Sequence, residues 1–238
     1  MDFPQDTEEV AEEYARFLKG KKVCVVGPSH HVVGLGHAKK IDSYDVVVRL
    51  NKGYAVPKEF EKDIGRKCDI IYQTTIPKAY RGIMMPIDEI KGSVKWICCA
   101  CPNEKHRNHI KDFIKYVDNR INIHIVNKNK WNLWTKWLTA AGPGTKVITP
   151  GIPQTGTAAL FDLLQYDIAK LYVTGITFLQ TRAKDRTMYY PGYLSGKGRP
   201  NLKNTKHHCR QEFKYFRGLC KKDKRIKCDK MLRKLINK

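Results

Sequence analysis

The chain has 238 residues, of which 42% are hydrophobic and 10% aromatic, a composition that supports one folded core and excludes a largely disordered protein. Its 45 lysines and arginines against 23 acidic residues give a formal net charge of +22. An excess this large demands an anionic partner (nucleic acid, lipid head group, acidic glycan or nucleotide sugar), and it exceeds what one nucleotide pocket needs.

The acidic, amphipathic start, Met1 to Lys19, has neither the basic nor the apolar region of a secretory signal. No apolar stretch approaches the ~20 residues that cross a bilayer. Taken as complete, the chain is expected to be soluble and cytoplasmic. Residues 7–19 predict a short helix with Val10, Ala11, Tyr14 and Leu18 along one side. A strand follows at 22–26 and stops at Gly27-Pro28-Ser29; a segment carrying Gly34 and Gly36 leads to a second strand at 45–50, with Asn51 as its polar exit. Strands rich in β-branched residues and joined through glycine turns are how parallel α/β sheets present nucleotide sites at their C-terminal edges. The spacing of Gly27, Gly34 and Gly36 is not the dinucleotide fingerprint.

Asp69 to Tyr72 and Val94 to Cys99 predict two more strands, His109 to Val117 a helix, and Ile121 to Val126 a further strand. Trp131, Trp134 and Trp137 recur every three residues, as a helix packed on the core or as a substrate-facing aromatic wall. Cys98, Cys99 and Cys101 read as buried free thiols, since no second cysteine pair or nearby histidines complete a zinc site; no metal is expected. Pro153 and Gly156 punctuate a turn after which Thr155 or Thr157 can cap a helix running to about Tyr166, followed by a strand from Lys170 to Gly175. Turn, helix and strand in that order make a parallel crossover, and the amides at its helix start suit a phosphate. Residues 181–206 are polar, with Tyr189, Tyr190 and Tyr193 in the middle, and predict a lid or acceptor loop. His207 to Glu212 open a helix through Phe213, Tyr215 and Phe216. The basic tail, residues 221–238, has Met231, Leu232, Leu235 and Ile236 as an apolar side that either covers the core or lies on an anionic surface.

Taken together these segments resemble the eukaryotic-type sialyltransferases, glycosyltransferase family 29. Val26-Gly27, Ser29, Gly34, Gly36, Ile41-Asp42, Asp45, Val47, Arg49 and Asn51 match the long sialyl motif, and Phe60 to Lys67 continue it. Thr155-Gly156, followed by Leu160, Tyr172 and Gly175, resembles the short motif; Tyr189-Tyr190 resembles the third, and His207 with Glu212 the final His-x4-Glu motif. The motifs stand in the family's order over about residues 22–212. Pro28 stands where the family has asparagine, Gln154 where it has serine, and the cysteine pair joining the two large motifs is missing, with Cys24 one residue out of register and Tyr166 in the other place.

The resemblance implies a divergent member without an N-terminal membrane anchor. It implies one α/β domain over 1–238, a Rossmann-like, mostly parallel sheet flanked by helices in the GT-A-like variant of these enzymes. The implied reaction is metal-independent, inverting transfer of sialic acid, or a related ulosonic acid such as Kdo, from its CMP-activated form to a glycan hydroxyl on a glycolipid or glycoprotein. No cofactor beyond that donor is implied. Asn51 and Gly27-Pro28-Ser29 would hold phosphate and ribose, and Thr155, Gly156 and Thr157 the cytidine side or the donor carboxylate. Tyr189 or Tyr190 would bind phosphate. His207, or its neighbour His208, would be the base, with Asp45, Arg49, Gly175 and Glu212 as structural support. The chemistry has its own logic: an attacking sugar hydroxyl needs a base near neutrality, and a nucleotide leaving group needs donors for its growing charge. Two other readings are a non-enzymatic nucleic-acid or anionic-surface binder on the same fold, and a CMP-sugar hydrolase.

Overall fold

Val23 to Val26 and Val46 to Leu50 are buried on both faces, which is possible only for strands inside a sheet covered by helices on either side. The computed structural model describes residues 7–74, 85–102, 107–139, 151–181, 189–193 and 207–238. In chain order the elements are α1 (Glu8–Leu18), β1 (Lys22–Val26), α2 (Ala38–Asp42), β2 (Val46–Leu50), α3 (Glu61–Ile64), β3 (Ile70–Gln73), α4 (Ile87–Ile90) and β4 (Trp96–Cys99). There follow α5 (Arg107–Val117), β5 (Asn122–Ile125), α6 (Lys128–Thr139), α7 (Thr155–Leu163), β6 (Lys170–Thr174), α8 (Cys209–Lys222), β7 (Ile226–Cys228) and α9 (Lys230–Ile236). The strands form one seven-stranded sheet in the order β5-β4-β3-β2-β1-β6-β7, every neighbouring pair parallel.

Alternation along each strand divides the core. Val23 and Val25 of β1 face a layer that includes Tyr14 and Leu18 of α1, Trp131 and Trp134 of α6, most of α7, Phe216 of α8 and Leu232 of α9. Cys24 and Val26 face the other side, with Ile41, Ile64, Tyr190 and Tyr193, while Ile71 and Ile97 on that side pack on Ile110, Phe113 and Val117 of α5. Each such aliphatic side chain contributes about 1.5–3 kcal/mol when taken out of water. Helix α7 is buried all round from Thr157 to Leu163, as an element sandwiched inside an α/β protein must be.

Several sequence expectations are corrected. Neither Thr155 nor Thr157 caps α7: both lie inside its first turn, Gln154 is the N-cap without a side-chain cap bond, and the helix ends at Leu163. Within the basic tail, Ile226–Cys228 adds a strand beside β6 before α9 begins. Leu232 of α9 is fully buried and Ile236 packs on the same cluster, so the tail's apolar side covers the core. The tryptophan row is a core helix at Trp131 and Trp134, but Trp137 is 40% exposed and stacks on Tyr215 at 5.0 Å. Trp137→Ala is expected to cost only about 0.5–1.5 kcal/mol, read as a small drop in denaturant midpoint with unchanged slope. Of the expected lid, only Thr181 and residues 189–193 are among the described residues; the rest of 181–206 lies outside them.

Candidate functional site

The chain builds the sheet outward from β1 to β5, then returns to place β6 on the other side of β1. Ligands of doubly wound sheets bind outside the carboxyl ends of the strands at such a reversal. Here the reversal is marked by two glycines in backbone contact. The Gly27 amide donates to the Thr174 carbonyl at 2.8 Å, and the Ser29 amide to the Gly175 carbonyl at 2.9 Å. A Cβ on either glycine would collide with the backbone of the other, and Gly175 has φ +71°, so both must remain glycine.

From this turn a ring of contacts closes around the strand ends. Ser29 pairs with Tyr189, and the Tyr190 amide donates to the Pro28 carbonyl at 3.0 Å. Tyr189 is half-buried, and burial, helped by Cys209, pushes its phenol up to about 12, so it stays a hydrogen-bond donor at neutral pH. Tyr190 is 3% exposed and packs on Phe60 and Tyr193, which makes it a core residue beneath the site. On the other flank, Asn51 takes a left-handed backbone (φ 49°), which asparagine tolerates better than most residues. Its Nδ2 donates to Thr155 Oγ1 at 3.4 Å, and its Oδ1 accepts from the Thr74 amide at 3.3 Å. Gly156 lets α7 approach β2, since a Cβ there would lie 3.1 Å from Leu50 Cδ1.

The histidines complete the ring. Ile152, just before α7, offers its carbonyl to His207 Nδ1 at 2.7 Å. A carbonyl only accepts, so Nδ1 carries the proton and the ring's basic lone pair sits on Nε2. Desolvation is the main cause lowering the pKa of His207 from its ordinary value, although the residue is exposed; the Ile152 bond opposes the lowering and His208 adds to it. His208 is the N-cap of α8 through its backbone, its carbonyl accepting the amides of Gln211 and Glu212 at 2.8 and 2.9 Å. A Cβ on Gly151 would collide with its ring.

Glu212 ties the two helix starts together. It is fully buried and accepts from the Gln154 amide at 3.0 Å and from the Thr157 hydroxyl. One of the unpaired amides at the start of α7 is therefore satisfied by a carboxylate from α8 rather than by a local cap. Burial pushes this carboxyl up to about 7, against the opposing hydrogen bonds from Thr157 and Gln154.

Arg49 and Asp45 lie apart from the crevice. Arg49 is 1% exposed and donates to the carbonyls of Ile64, Gly65 and Lys67, fixing the segment after α3. Asp45 accepts the Lys22 amide at 2.7 Å, at the opposite, amino-terminal edge of the sheet. Gly36 donates to Asp63 Oδ1 at 2.8 Å, so the second motif glycine shapes a loop held by protein. Tyr193, which the sequence placed only within the polar 181–206 segment, donates its hydroxyl to the Leu50 carbonyl at 3.1 Å, and the sequence reading missed His31 and Asp229. Asp229 carries a legible signal as a helix N-cap before Met231 and Leu232, but its reach across 198 positions to His31 does not.

The sequence pattern of glycosyltransferase family 29 (sialyltransferase) matches residues 3–224. The chain belongs to that family. No curated protein sequence matches it. Among solved structures it is similar to the sialyltransferase CstII from Campylobacter jejuni in complex with cytidine-5'-monophosphate, with 17% identity and a TM-score of 0.58 over 88% of this chain and 80% of that one. A mammalian sialyltransferase gives 18% identity and a TM-score of 0.58 over 97% and 74%. At these identities the likeness establishes a shared fold. The family's activity is CMP-sugar-dependent glycosyl transfer. Among the described residues no group of three or more His, Cys, Asp or Glu could hold a metal ion, and no helix is long and apolar enough to cross a membrane. All eight cysteines are free thiols.

Proposed function

We propose that the protein transfers sialic acid, or a related ulosonic acid, from its CMP-activated form to a glycan hydroxyl with inversion and without a metal cofactor. The observation that carries this reading is the His207 Nδ1–H bond to the Ile152 carbonyl, which sets Nε2 as the basic nitrogen beside the start of α7. In the proposed reaction Nε2 takes the proton of the acceptor hydroxyl as its oxygen bonds to the anomeric carbon. The bond from that carbon to the phosphate oxygen breaks, CMP departs, and the proton later passes to solvent. Asn51, Thr155 and Gly156 would receive the nucleoside, and the Tyr189 hydroxyl would donate to the phosphate as its charge grows. The Tyr190 side chain packs in the core, which favours Tyr189 as the phosphate ligand. His208, engaged at the cap of α8, would hold the helix start and leave the chemistry to its neighbour.

The test is CMP release from CMP-sialic acid and CMP-Kdo, measured with and without a panel of glycan acceptors. Acceptor-dependent release with a glycosylated product supports the reading, and the better donor names the sugar. Free sugar appearing at the same rate without acceptor would make the protein a hydrolase, and no turnover of either donor would contradict the proposal. Asn51→Ala is expected to weaken CMP binding about tenfold, or 1.4 kcal/mol, by calorimetric titration.

A further inference from the structure

The family match ends at residue 224, yet the donor turn is held by a residue beyond it. Asp229 stands between β7 and α9 and is 2% exposed. Its Oδ1 accepts the Leu232 amide at 2.7 Å, capping α9, while Oδ2 accepts Thr174 Oγ1 at 2.9 Å and the Gly175 amide at 3.1 Å. The same Oδ2 lies 2.9 Å from His31 Nε2, and His31 Nδ1 lies 2.9 Å from Ser29 Oγ. Ser29 and the His31 side chain are nearly inaccessible, at 3% and 6%. A buried chain thus runs from the C-terminal strand–helix unit to the Gly27-Pro28-Ser29 turn.

The chemistry of the chain gives it a direction. Burial alone would raise the Asp229 carboxyl, but hydrogen bonds from His31 and Leu232, the charge interaction with His31 and the Gly175 amide hold it below the usual carboxylate range, so it is an ionised acceptor. An acceptor facing Nε2 places a proton there, and Nδ1 on the other side of the ring meets the Ser29 hydroxyl. The Ser29 hydroxyl is thus engaged by His31 while its amide is bonded to the Gly175 carbonyl. Pro28 removes one backbone N–H from this turn, so the turn depends more heavily on what anchors its remaining groups. The carboxylate's charge is spent on four donors, which keeps it compatible with an anionic donor substrate nearby.

We propose that Asp229 and His31 are positioning residues for the nucleotide phosphate: acting through Ser29, they hold the donor turn in its binding geometry. The C-terminal segment beyond the family match is thereby part of the donor site. This inference rests on the CMP-sugar reading above.

The test is a double-mutant cycle on CMP affinity in the full chain. His31→Leu, which breaks the chain at its middle, is expected to weaken CMP binding about tenfold, and Ser29→Ala by a similar factor. Acting through Ser29, His31→Leu should cost nothing further in the Ser29→Ala background. His31→Gln, whose amide can donate to Asp229 and accept from Ser29, should stay within about threefold of the unaltered protein. Losses that multiply, or a His31→Gln protein as weak as His31→Leu, would overturn the relay and leave His31 an ordinary packing residue. Nitrogen-15 NMR of the ligand-free protein reads the relay without substrate: the proton belongs on His31 Nε2, and a proton on Nδ1 of a neutral ring would overturn it. If the unaltered protein bound no CMP, the functional reading would fall, and the NMR result alone would decide the relay.

Discussion

His207→Ala is expected to lower kcat for sugar transfer by about 10²–10⁴-fold while leaving CMP affinity within roughly threefold. Nδ1 is committed to the Ile152 carbonyl at 2.7 Å, so the imidazole meets an acceptor only through Nε2. Removing the ring deletes the proton acceptor but leaves Asn51, Thr155 and the Gly27 turn intact. His208→Ala should cost much less, under about tenfold in kcat, because His208 holds the start of α8 through its carbonyl rather than its ring. The pH profile supplies the sign. A base works when neutral, and desolvation first, then His208, lower the His207 pKa from its ordinary value. Activity should therefore rise with pH through a midpoint below 6.5 and run flat across neutrality. Steady-state kinetics from pH 5 to 8 would check this; a limb centred above neutrality would exclude His207 as the base.

The second large effect belongs to Glu212 and is read in stability. Its carboxyl is pushed up to about 7 in the folded protein, against an ordinary 4.5. The folded state therefore holds a proton that the unfolded chain has released between those values. Stability from this group is fully present below 4.5 and is lost as pH rises through 7, up to about 3 kcal/mol in all. Glu212→Gln keeps a neutral acceptor for Thr157 and Gln154 and should remove that pH dependence, leaving a protein more stable than the original above pH 7. Glu212→Ala should instead lose about 2–4 kcal/mol, or roughly 10 °C in melting temperature, because the Thr157 hydroxyl and the Gln154 amide are left buried without their acceptor. Melting curves at pH 5 and 8 for the three proteins separate these outcomes. A parallel pH response of the Gln variant and the original would show that Glu212 is not the titrating group.

The contrast between these two residues shows what the sequence carried. His207 and Glu212 were both legible as a motif, but only contact geometry distinguishes a ring bonded to the Ile152 carbonyl, the proposed base, from a carboxyl buried between two helices. The strands at Val23 to Val26 and Val46 to Leu50 were legible because burial on both faces leaves a continuous β-branched run. Ile226–Cys228 was not, since a three-residue edge strand interrupted by Lys227 looks like the rest of a basic tail. The cap of α7 was misread as local because threonines commonly cap helices; the actual partner, Glu212, comes from 58 positions away. The same distance argument hides Asp229 and His31. Pair contacts between remote segments leave no periodicity behind, whereas the glycines at 27 and 175 announce a close backbone approach even before their partners are known.

Nucleotide preference is the property that a CMP-sugar donor site must show. Calorimetric titration of CMP, UDP and GDP against the same preparation tests it most directly. We expect CMP to bind at least about tenfold more tightly than UDP or GDP, with the preference weakened in the Asn51→Ala protein. Tighter binding of UDP or GDP, or no nucleotide binding at all, would contradict the assignment of this crevice to a CMP-sugar donor.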